Sequence, residues 1–95
     1  MSEFGRFYDF SNVSTLAIGA ASARTTNGLQ FDEVLLHATI ACYIRVGNST
    51  VTVSATTGIP LVAGEKLAVK INRGDYIAVI QAAAAGTLTI TPILR

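Results

Sequence analysis

Val34-Leu35-Leu36-His37-Ala38-Thr39-Ile40-Ala41-Cys42-Tyr43-Ile44-Arg45-Val46 is the stretch that decides the class of fold. Val34, Leu36, Ala38, Ile40, Cys42, Ile44 and Val46 occupy every second position, with Leu35, His37, Thr39, Ala41, Tyr43 and Arg45 between them. Period two marks a strand with one face buried; a helix would repeat its apolar residues at 3.6. Thirteen residues are long for one strand, so a bulge or bend is expected near Ala38.

The same signal continues downstream. Gly47-Asn48-Ser49 reads as a turn, since Gly and Asn tolerate positive φ. Thr50–Ala55 alternates again through Val51 and Val53, predicting another strand. Pro60 is expected only at a strand start or on an edge, because it has no N–H to give a ladder. Residues 61–65 read as a short strand and a turn, with a hairpin tip at Glu65-Lys66. Leu67, Val69 and Ile71 predict a half-exposed strand, and Asn72-Arg73-Gly74-Asp75 a turn. Tyr76–Gln81 is almost continuously apolar, which predicts a strand either buried on both faces or central in its sheet. Leu88, Ile90 and Pro92 alternate with Thr87, Thr89 and Thr91 in a last strand. Ala82–Ala85 is too short to nucleate a helix despite its propensity, and reads as a hairpin tip.

Composition agrees. Val, Ile and Thr make up 28 of the 95 residues, and their branched side chains favour a pleated surface. Six or seven short strands with no helical stretch between them predict an all-β chain over residues 29–95. The expected architecture is a small antiparallel β-sandwich, jelly-roll-like, with an aromatic N-terminal arm. Residues 1–28 are set apart as an arm or first strand, with one strand expected at Thr15–Gly19. Phe4, Phe7, Tyr8 and Phe10 hold four of the seven aromatic residues. Either they fold back onto their own sandwich, or they dock on a neighbouring subunit or another protein. A domain of this size hides only about 60–65% of its unfolded surface, so a homo-oligomer is expected.

Little in the chain points to chemistry. A net charge of +1 gives no footprint for nucleic acid or an anionic membrane surface. No apolar run approaches the roughly 20 residues that span a bilayer. The start Met1-Ser2-Glu3-Phe4-Gly5-Arg6 does not read as a secretory signal, so the chain is expected to begin in a cytoplasm. One cysteine forms no disulfide within the chain, and Cys42, between Ile40 and Ile44, reads as a buried small hydrophobe. His37 and Glu33, four residues apart on a strand, stand roughly 13 Å apart, too far for a preformed dyad. Asp75 supplies too few oxygens for calcium. Arg24, Arg45 and Arg73 are candidates for ion pairs across an oligomer interface. Without a phosphate-binding loop, nucleophile elbow or metal-ligand motif, no enzyme and no cofactor are expected.

The segments "CYIRVG", "IPLVAGEKLAVKI", "DYIAVIQ" and "GTLTITP", within residues 36–94, resemble small structural proteins encoded among the virion genes of tailed bacteriophages. The resemblance implies a β-sandwich on the particle, of the capsid decoration or cement type. Such proteins commonly form homotrimers over the threefold axes of a head lattice, bridging major capsid subunits against the pressure of packaged DNA. It implies a virion location, on the capsid surface after synthesis in the bacterial host, and the major capsid protein or another virion protein as partner. Candidate interface residues are Phe4, Phe7, Tyr8 and Phe10, with Ala82, Ala83, Ala84 and Ala85, whose small side chains permit close backbone approach. The alternatives are a minor virion component at the tail, head–tail junction or fibre base, and a small-ligand or receptor-binding β-barrel.

Overall fold

The computed structural model describes residues 7–8 and 12–94. It contains the strands β1 (Phe7–Tyr8), β2 (Ser14–Ile18), β3 (Ala23–Arg24), β4 (Glu33–Ala38), β5 (Cys42–Gly47), β6 (Ile59–Leu61), β7 (Lys66–Lys70), β8 (Tyr76–Gln81) and β9 (Gly86–Leu94). Every pairing is antiparallel.

The pairings nest. β5 pairs with β6, β4 with β7, β3 with β8 and β2 with β9, as if one long hairpin had been rolled up. Two further pairings, β4 with β9 and β5 with β8, close the roll into two sheets ordered β2-β9-β4-β7 and β3-β8-β5-β6. That order is the jelly roll of two Greek keys. β1 extends the first sheet along the end of β9, Phe7 facing Leu94 and Tyr8 facing Ile93. Pro92 falls between Ile90, the last residue opposed by β2, and Ile93, the first opposed by β1. A residue with no N–H thus sits where, among the described residues, no strand is paired with it on that side.

The core lies between the sheets and is filled by alternate residues. Val34, Leu36, Ala38, Leu88 and Ile90 from the first sheet meet Cys42, Ile44, Leu61, Ile77 and Val79 from the second, each at most 2% exposed. β8 is central and buried on both faces, and Pro60 lies in the edge strand β6, both as the sequence predicts.

Several sequence expectations are corrected. Residues 34–46 form two strands in opposite sheets, joined by a corner at 39–41, rather than one bent strand. From Ala38 to Cys42 is an even number of steps, so even-numbered residues face the core on both sides of the corner. The alternation therefore passes through it unbroken. Thr50–Ala55 forms no strand. Val51 and Val53 are buried at 8% and 5%, yet they pack on the outer face of the second sheet against Ala78, Tyr43, Tyr76 and Ile80. An extended segment laid over a sheet face alternates as a ladder strand does, without its hydrogen bonds. Neither Glu65-Lys66 nor Ala82–Ala85 is a hairpin tip: Glu65 and the alanines lie in crossings between sheets and Lys66 opens β7, since β6 and β7, like β8 and β9, lie in different sheets. β2 and β3 give one edge strand to each sheet, so the sandwich takes in residues 14–24 ahead of residue 29.

Candidate functional site

Strand direction gathers four connections at one end of the roll. β2 and β4 run one way and β7 and β9 the other. The links 19–22, 39–41, 62–65 and 82–85 consequently share an end. Hydrogen bonds tie them together: Gln81 N–H to Gly19 C=O at 3.0 Å, Ala82 N–H to Ala41 C=O at 3.1 Å and Gly64 N–H to Ala38 C=O at 2.8 Å. Thr39 N–H donates to Thr87 C=O at 3.0 Å, and Thr87 N–H to Thr39 Oγ1 at 2.9 Å.

The four links are alike in composition. They read Gly19-Ala20-Ala21-Ser22, Thr39-Ile40-Ala41, Val62-Ala63-Gly64-Glu65 and Ala82-Ala83-Ala84-Ala85, with Glu65 as their single charge. That carboxylate is exposed and folds back on its own turn, its Oε1 accepting the Val62 N–H at 3.0 Å. Ala20, Ala21, Val62, Ala63 and Ala82–Ala85 are all exposed, Val62 at 62%. The result is an end of small apolar side chains on a hydrogen-bonded frame. Alanine has no rotamer entropy to lose on contact, so docking this surface costs little ordering. The opposite end is polar, built from Thr25, Thr26, Asn27, Gln30, Asn48, Ser49, Thr50, Asn72 and Arg73.

Of the residues singled out in the sequence, Ala82–Ala85 lie on this apolar end. Phe7 and Tyr8 pair with the far end of β9, which separates them from the alanines by the length of that strand, about 27 Å. Phe4 and Phe10 lie outside the described residues. The two halves of the expected interface are thus not brought together. What the sequence reading missed is that Gly19–Ser22 and Val62–Gly64 join the alanines; the only signal was the recurrence of small residues at strand ends.

The remaining candidates have ordinary surroundings. His37 is half-buried on the outer face of the first sheet, opposite Lys66 and Thr89. Cys42 is a buried free thiol, and burial pushes its pKa up. Asp75 closes its own turn, Oδ2 accepting the Asn72 N–H at 2.9 Å. Arg73 pairs with Asp32 at 3.1 Å, and Arg24 donates to the Val51 carbonyl at 3.2 Å, so both have partners within the chain. Among the described residues, no three of His, Cys, Asp and Glu are placed to hold a metal ion. Two surface grooves stand out. One of about 440 Å³ runs beside β2 past Leu16, Leu29 and Phe31; another of about 420 Å³ lies beside β3 around Arg24.

Comparison of the chain with protein-family models, with curated proteins and with solved structures returns no match.

Proposed function

We propose that this chain is a structural protein of a tailed-phage particle, a decoration or cement protein that attaches to the head lattice through the apolar end of its jelly roll. The observation that carries this reading is that end, formed from four tied connections with a single charge, Glu65, which is hydrogen-bonded within its own turn. Contiguous exposed apolar surface marks a site of protein association. The strand-and-turn resemblance over residues 36–94 supplies the setting, and jelly rolls are a common architecture of capsid proteins.

Size bears on the mode of attachment. The molecule measures 26 × 21 Å across its shorter axes, so one end presents on the order of 500 Å², below the roughly 800 Å² per partner of a stable interface. Several copies engaging at once make up the deficit through avidity, which fits a trimer on a threefold axis. One flat partner cannot meet both ends of the roll. The alanine end therefore faces the major capsid protein, and the aromatic terminus around Phe7 and Tyr8, with Phe4 and Phe10, serves the neighbouring copy.

Quantitative mass spectrometry of purified particles tests the setting. A copy number near that of the major capsid protein is expected; a few copies would move the chain to the tail, head–tail junction or fibre base, and absence would reject the virion reading. The contact is tested by Ala83→Glu with Ala84→Lys. These exposed positions tolerate charge in the free protein, so the melting temperature should hold while attachment falls at least about tenfold, the expected effect of charges buried in an interface. Undiminished attachment would remove the apolar end from the mechanism.

A further inference from the structure

The groove beside β3 is chemically unlike the alanine end. Ser22, Arg24, Thr25, Thr26, Ser49 and Tyr76 line it, and they include one cation and no carboxylate. Its donors are held in place by the backbone. Ser22 Oγ accepts the Val53 N–H at 3.1 Å, and Thr25 Oγ1 accepts the Ile77 N–H at 3.2 Å. A hydroxyl oxygen engaged in this way keeps its O–H free to donate. Arg24 Nη1 donates to the Val51 carbonyl at 3.2 Å, which anchors the guanidinium and leaves the rest of its five-donor fork available. The acid nearest in sequence, Asp75, already accepts the Asn72 N–H within its own turn.

We propose that this groove binds a sugar bearing a carboxylate, with Arg24 taking the carboxylate and the Ser22, Thr25, Thr26, Ser49 and Tyr76 hydroxyls taking the ring hydroxyls. A planar guanidinium matches a carboxylate with two parallel hydrogen bonds, and the pair is charge-assisted. At about 420 Å³ the groove is too large for a bare anion and falls in the range of small-molecule sites. Five hydroxyl groups around one cation suit a polyol with a single negative charge. Apart from Ser22, which ends the 19–22 link, the lining lies off the apolar end, and the site does not depend on the chain being a virion protein.

The test is an NMR titration of the full chain with glucuronate, glucose and inorganic phosphate at constant ionic strength. Glucuronate should shift the Arg24 side-chain N–H and the Val53 and Ile77 amides, with a millimolar dissociation constant, while glucose leaves them unmoved. Arg24→Gln should weaken glucuronate at least about tenfold, the loss expected for a charge-assisted hydrogen bond. Because Arg24 also holds the Val51 carbonyl, Thr26→Val provides a second variant. Its hydroxyl makes no hydrogen bond among the described residues, and its loss should weaken binding several-fold with the amide spectrum otherwise intact. No shifts up to tens of millimolar glucuronate, equal binding by Arg24→Gln, or phosphate and glucose binding as tightly as glucuronate would each overturn the proposal.

Discussion

At the residue scale, one close approach of backbone to backbone lies where two turns touch. A Cβ added to Gly28 would lie 2.6 Å from the Gly74 carbonyl oxygen, a backbone atom that cannot swing aside. Gly74 itself has φ +93°, a region costly for any residue with a Cβ. Leu29 and its neighbours Gly74 and Asp75 exchange hydrogen bonds of 2.7 and 2.8 Å here, which locks the approach. Gly28→Ala should therefore destabilise the fold by about 1–3 kcal/mol, read as a lower urea midpoint at unchanged slope. Cys42 makes a prediction about pH. Burial raises its folded pKa above the unfolded value. Below about pH 8.5 both states hold a neutral thiol and the contribution is complete. As pH rises through that value toward the raised folded pKa, only the unfolded chain ionises freely, and stability is lost. The stability advantage of the wild type over Cys42→Ala should shrink across that window; parallel curves would contradict it.

At the scale of elements, the segment 48–58 acts as a strap across the second sheet. Its extended middle gains no ladder, and is held by Ser22 Oγ on the Val53 N–H and by Arg24 on the Val51 carbonyl. Its apolar contribution is the small cluster of Val51, Val53 and Ala78, which closes the outer face of β8. Truncating Val53 to Ala should cost about 1–2 kcal/mol. Ser22→Ala should mainly speed hydrogen exchange at the Val53 amide, since its acceptor is gone while the valines stay packed; unchanged exchange would mean another group holds that N–H. The edges on the far flank carry protection against pairing with other chains. β6 contains Pro60, and β7 has Lys66 and Lys70 at its ends.

At the scale of the molecule, nested pairing makes the contacts long-range. β2 and β9 lie near opposite ends of the chain, and Ile18 pairs with Gly86. The outer pairs can close only after the inner ones have shortened the loop between them. Refolding should accordingly fall in the roughly millisecond-to-second range of β-sandwiches, and a stopped-flow rate in microseconds would contradict it. The folded chain exposes 5439 Å², against about 14,000 Å² for an unfolded chain of this mass, so folding hides roughly 60% of the surface. That is the marginal burial expected from length, and a partner on an exposed end would add to it.

Much of the interior was legible in the sequence. The alternation at Val34–Val46, at Tyr76–Gln81 and at Leu88–Pro92 identifies the inward side chains, because a strand offers a core only every second residue. Parity gives a face and nothing more. It did not separate β4 from β5, since the corner at 39–41 preserves it, and it made the strap at Val51 and Val53 look like a strand. The apolar end lay further out of reach. Its four connections are spread from Gly19 to Ala85, and each alone reads as an ordinary loop. Which strand side chains point inward follows from local periodicity and is written along the chain. Which sheet each strand joins, and which loops meet, depends on pairings between residues far apart in the chain and emerges only on folding.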